Sequence, residues 1–158
     1  MREIYKSKLG NILIESDEEN ITKCEFVDYF VEQDNDEIIE KCKRYLDNYF
    51  LGKITGRFEN IQIDKSDYTT KILKLVCEIP YGMTATYTDI KEKYEEIYSV
   101  KTSARAVGRA VGSNDLMILV PCHRVIGKNN ALTGYKFGIE KKKYLLDLEQ
   151  NHKSSVNI

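Results

Sequence analysis

A thiol, an imidazole and a guanidinium follow one another at Cys122-His123-Arg124, directly behind Pro121 and the apolar run Leu116-Met117-Ile118-Leu119-Val120. An electropositive setting of this kind favours thiolate, the nucleophilic form, so Cys122 is a candidate to attack an electrophilic carbon. The residues alone leave a second role open, because a free intracellular cysteine is ordinarily a small buried hydrophobe. Cys24, Cys42 and Cys77 lie far from Cys122 and from each other, no Cys-x-x-Cys pair occurs, and His152 is the only other histidine. That set does not read as a zinc site, so no metal and no cofactor are expected.

Two kinds of scaffold are written into the pattern that must position these groups. Short apolar runs at Ile4-Tyr5, Leu9 to Ile14 and Cys24 to Val27, broken by Asp17-Glu18-Glu19-Asn20, predict an antiparallel strand set. From Glu37 the period turns helical, with Ile38, Ile39, Cys42, Tyr45, Leu46 and Tyr49 on one side and Gly52 as the stop. Phe58, Ile61 and Ile63 predict a further extended segment, and the connector that follows sets the boundary between an α/β domain at 1–66 and a mainly helical domain at 67–150. A polar tail, 151–158, remains. The second domain begins with an amphipathic helix ending at Ile79-Pro80-Tyr81-Gly82. Thr86 or Thr88 can cap a helix to about Tyr94, Thr102 or Ser103 can cap another through Val111, and a last helix runs from about Ile139 to Glu149. Two helices joined by a connector, the second basic and small-faced, suggest a helix-turn-helix, although a pair that only packs the core has the same spacing.

The net charge of −1 hides two opposed halves. Residues 15–40 carry eleven acids against one lysine, whereas residues 101–143 carry nine basic residues against two acidic ones. The second half can face phosphates while the first faces solvent. No apolar run approaches a membrane span and the first residues lack a signal peptide's apolar stretch, so an intracellular protein is expected, cytoplasmic or, in a eukaryote, nuclear.

From Tyr68 to Glu149 the chain resembles the O6-alkylguanine-DNA alkyltransferase family, and more loosely over the N-terminal unit. The resemblance rests on ordered blocks: Ile79-Pro80-Tyr81-Gly82-Met83-Thr84 then Tyr87; Ala104-Arg105-Ala106-Val107-Gly108 then Asn114; Pro121 to Ile126; Leu132-Thr133-Gly134-Tyr135; and Lys142, Leu145-Leu146 and Glu149. It implies a ribonuclease-H-like α/β unit followed by a helical domain that holds a helix-turn-helix and the reactive cysteine. It also implies DNA repair by direct reversal, in which the alkyl group on O6 of guanine moves once and irreversibly to Cys122, with a monomer on double-stranded DNA as the working complex. The family binds through the minor groove and flips the damaged base. By the same resemblance Arg105 fills the vacated place, Ser103, Ala104, Ala106, Gly108 and Arg109 meet the DNA, and Asn114 ties the helix-turn-helix to the active-site turn. Tyr87 crowds the target phosphate and donates a proton, His123 acts through a water as general base, and Glu149 orients it. Asp147 competes with Glu149 but falls on another helix face. Val125, Leu132, Gly134, Tyr135 and Lys136 match the pocket wall.

Arg109, Arg124, Lys101 and Lys128 are expected to meet phosphates rather than base edges. The stretch 94–103 is longer than usual in the family and lacks its Gly-x-Pro, Asp115 stands where proline is frequent, and Asn130 where glycine is frequent. Three rivals remain: a non-catalytic binder of alkylated bases, which the cysteine argues against; a Cys-His hydrolase, which needs an oxyanion site; and a dimeric major-groove transcription factor.

Overall fold

The computed structural model describes residues 1–53 and 56–152. The polar tail from 153 onward lies outside the described residues, while Asn151 and His152 complete the last helix.

Strands β1 (Arg2–Ser7), β2 (Gly10–Ser16) and β3 (Ile21–Phe26) form an antiparallel meander, with Ile4 opposite Leu13 and Ile14 opposite Cys24. Helix α1 (Glu37–Phe50) starts where the Asp36 carboxylate accepts the Ile39 N–H at 2.8 Å, and it buries Ile39, Cys42, Leu46 and Tyr49. The expected extended segment joins this sheet at one point, where Ile21 exchanges hydrogen bonds with Asn60 and Gln62.

The second half consists of helices α2 (Asp67–Val76), α3 (Tyr87–Tyr98), α4 (Ala104–Gly112) and α5 (Ile139–His152). Ser66 caps α2, Ser103 caps α4, and Thr86 with Asp89 forms a capping box on α3. Helix α3 runs past the predicted end at Tyr94, where the Tyr94 ring meets Tyr68 edge-on and Tyr98 at a tilt, with centroids 5.2 and 4.9 Å apart. It stops on Ser99 in the left-handed region, at φ 56°. The long connector behind it is tied down: Glu95 accepts the Thr102 N–H at 2.9 Å and Tyr68 shares a hydrogen bond with the Thr102 hydroxyl at 2.6 Å.

Two short pairings frame the cysteine, one joining the halves and one within the second half. Cys24 on β3 receives Met117 N–H and donates to the Asp115 carbonyl, so the segment leading to Cys122 extends the edge of the N-terminal sheet. Strands β4 (Ala85–Thr86) and β5 (Val125–Ile126) run parallel, with Ala85 opposite Val125, which sets Tyr87 beside the turn that carries Cys122. Among the described residues no helix is long and apolar enough to cross a membrane.

Candidate active site

Cys122 opens a single 3-10 turn, Cys122–Arg124, and only 4% of its surface is exposed. Asn114, at the end of α4, fixes the approach to that turn: its amide donates to the Val120 carbonyl at 3.1 Å and its carbonyl accepts Leu116 N–H at 3.0 Å. Burial pushes the Cys122 thiol well above the usual range and Cys77 adds to this; a hydrogen bond from Asn114 and the Lys142 charge oppose it without prevailing. The expectation that neighbouring His123 and Arg124 favour thiolate is therefore corrected. The His123 Nε2 and the Arg124 guanidinium are instead both engaged by Glu149.

Glu149, on α5, is buried and collects its donors from distant parts of the chain. Oε1 accepts from Arg124 Nε at 2.8 Å and Gly82 N–H at 3.1 Å; Oε2 accepts from His123 Nε2 at 2.5 Å, Tyr49 Oη at 2.6 Å and Arg124 Nη2 at 3.1 Å. Burial disfavours the carboxylate, but the His123 and Arg124 hydrogen bonds and charges outweigh it and hold the group well below the usual carboxylate range. His123 is lowered by burial, with the Arg124 and Lys142 charges in support and Glu149 only partly offsetting them. The neutral ring thus donates from Nε2, and its buried Nδ1 has no partner among the described residues. This nitrogen can take a proton.

Arg124 does not meet solvent as a phosphate ligand would. It is 8% exposed, bonded on one side to Glu149 and on the other to the Ile79 carbonyl at 2.7 Å. The sequence also gave no sign of Tyr49, which packs in the predicted apolar stripe of α1 but points its hydroxyl into this cluster. A buried tyrosine hydroxyl calls for a partner, yet that partner lies 100 residues along the chain. Lys142, in the resemblance without a role, is buried and donates to the Val125 and Thr133 carbonyls at 2.5 and 2.9 Å; burial lowers it to about 8. Asp147 pairs instead with Lys143 on an exposed face.

Beside the thiol lies a cavity of about 10 Å³, lined by Val111, Asn114, Gly134, Tyr135, Lys136 and Phe137. Val125 and Leu132 do not line it; Val125 is fully buried in β5. Tyr87 stands over the same strap and donates to the Thr133 carbonyl at 3.1 Å, with its hydroxyl raised by burial. A Cβ on Gly134 would lie 3.1 Å from that hydroxyl at φ +70°, so both space and backbone call for glycine there. A larger cavity of about 560 Å³ lies behind Arg124, between Tyr45, Tyr49, Tyr81 and Leu119; the thiol does not line it. Among the described residues no group of His, Cys, Asp and Glu is placed to hold a metal ion.

On α4, Ser103, Ala104, Arg105 and Arg109 are exposed and Ala106 and Gly108 half-buried. A methyl on Gly108 would meet the Tyr87 ring at 3.8 Å, an ordinary contact, so packing within the chain does not demand glycine there.

Residues 1–64 match the family model 6-O-methylguanine DNA methyltransferase, ribonuclease-like domain, and residues 67–151 match 6-O-methylguanine DNA methyltransferase, DNA binding domain. The chain belongs to the 6-O-methylguanine DNA methyltransferase family. The expected two-part architecture is the family's. A methylated-DNA–protein-cysteine methyltransferase of Methanosarcina acetivorans is 37% identical over 155 residues, covering 92% of this chain and 96% of its own. The inducible enzyme of that name from Bacillus subtilis is 38% identical over 125 residues, covering 79% of this methyltransferase and 68% of its own length. The crystal structure of Mycobacterium tuberculosis OGT in complex with DNA superposes with a TM-score of 0.84 at 29% identity, covering 96% of this chain and 93% of that one.

Proposed function

We propose that this member of the 6-O-methylguanine DNA methyltransferase family repairs DNA by direct reversal, moving the methyl group from O6 of guanine to the sulfur of Cys122. The observation that carries the reading is the chemistry beside the thiol: a neutral buried imidazole anchored at Nε2 by an ionised carboxylate, with Nδ1 left to accept a proton. A water between Sγ and Nδ1 passes the thiol proton to His123, and Glu149 stabilises the imidazolium that forms. The S–C bond forms as the C–O6 bond breaks, and its electron pair goes to the departing guanine, which takes a proton from Tyr87. Because burial keeps the thiol protonated at rest, the nucleophile is unmasked when the base is bound rather than before.

The remaining assignments follow from this reading. Arg105 replaces the flipped base in double-stranded DNA, the small exposed face of α4 enters the minor groove, and Arg109, Lys101 and Lys128 meet phosphates. Gly134, Tyr135 and Lys136 face the base, with Val125 and Leu132 supporting them from behind. The ribonuclease-like domain spans 1–66 and the alkyl-accepting domain 67–150, and the protein acts as a monomer in the compartment that holds the DNA, the cytoplasm of a cell without a nucleus. Incubation with an excess of duplex carrying O6-methylguanine should repair one lesion per protein molecule and then stop. Repeated turnover would instead indicate a hydrolase, and no repair at all a lesion binder.

A further inference from the structure

The cavity beside Cys122 has room for about one water, and a purine is several times larger, so its wall moves before any base can reach the sulfur. The wall that can move is the strap 131–138, which has neither helix nor strand and contains two glycines in the left-handed region, Gly134 at φ 70° and Gly138 at φ 101°. Such positions absorb hinge motion readily. One end of the strap is held through the Thr133 carbonyl by Lys142 and Tyr87. At the other, Phe137 packs edge-on against Phe26 of β3, with centroids 5.5 Å apart. Between them Lys136 forms a bridge to two acids on separate segments, Asp115 at 2.9 Å and Glu25 of β3 at 3.3 Å. Asp115 is itself fixed by Lys65 at 2.7 Å.

We propose that Lys136 is a positioning residue that latches this strap over the thiol, and that it sets the size of the alkyl group admitted. The size statement rests on the proposed alkyl transfer; the latch is a property of the free protein. Beyond Lys136 and Phe137 lies an open groove of about 490 Å³ whose walls include Leu9, Phe26, Val27 and Tyr29. A bulky aromatic O6 substituent that passes the opened strap finds apolar wall there, whereas a methyl group ends at the sulfur. The latch therefore discriminates against large groups more than against methyl.

Hydrogen exchange of the amides of 131–138 in the free protein, together with alkylation by free O6-methylguanine and O6-benzylguanine, tests this in wild type, Lys136→Met and Glu25→Gln. Free bases remove any effect of Lys136 on DNA. Each half-exposed pair is worth up to about a factor of five, so Lys136→Met should speed strap exchange and benzyl transfer by about three- to tenfold, with a smaller gain for methyl and a part of the effect in Glu25→Gln. Added salt should speed the wild type and leave Lys136→Met unchanged. Unaltered exchange, or a benzyl rate that stays level or falls in Lys136→Met, overturns the latch. A wild type that also repairs no O6-methylguanine in duplex DNA overturns the transfer reading instead, and the exchange result still decides the latch.

Discussion

Five donors converge on the carboxylate of Glu149, and two of them come from one guanidinium. A buried carboxylate so surrounded is stable only while its donors stay in place. Tyr49→Phe removes one without changing shape, and it should lower unfolding stability by about 1–3 kcal/mol. If about 1.4 kcal/mol of that support is felt in the transition state, methyl transfer slows roughly tenfold; urea denaturation and single-turnover repair measure the two. Unchanged rates would show that Tyr49 serves packing alone. The same cluster fixes the sign of the acid response. His123 titrates below its ordinary value of about 6.5, so under that pH the unfolded chain binds a proton that the folded chain does not, and stability falls. Glu149, also depressed, adds loss of the same sign below its usual range. Unfolding free energy should therefore decline from pH 7 to pH 5 and more steeply further down, and a flat profile between pH 7 and 5 would mean that His123 is not held neutral.

Helix α4 carries its contribution on one exposed side. Ser103 caps it, Val107, Ala110 and Val111 seat it, and Arg105 stands free of the core. Arg105→Ala should impair repair of methylated duplex on the order of a hundredfold, since unstacking a base costs a few kcal/mol, but should leave reaction with free O6-benzylguanine almost unchanged; equal losses on both substrates would place Arg105 in the pocket or the fold. Elements of this length were legible in the sequence because caps and apolar period mark them, as Ser103 and the Val107-Ala110-Val111 stripe do. The far end of α3 was not, because its last turn is held by the contact of Tyr98 with Tyr94 rather than by a stop signal. Nor were β4 and β5, since two residues carry no period and their pairing depends on a partner some forty positions away.

Across the whole molecule, adjacency singled out Cys122 and His123 as candidates, and the resemblance added Glu149, which the fold bonds to His123. The contacts that complete the site cross between the halves and were not: Tyr49 reaches Glu149 from α1, and Lys136 reaches Glu25 on β3. Arg124 misled for a related reason, since an arginine in a basic stretch looks like a phosphate ligand until its buried carboxylate is known. These contacts make the N-terminal half part of the candidate site's support rather than an appendage. Whether Cys122 is the alkyl acceptor is decided by intact-mass spectrometry with peptide mapping after incubation with duplex bearing O6-methylguanine. The wild type should gain one methyl group on the peptide containing Cys122, and Cys122→Ser, close in size but far less acidic and nucleophilic, should fold, bind DNA and gain none. A methyl on Cys24, Cys42 or Cys77, or repair by the Cys122→Ser protein, would mean that Cys122 is not the acceptor.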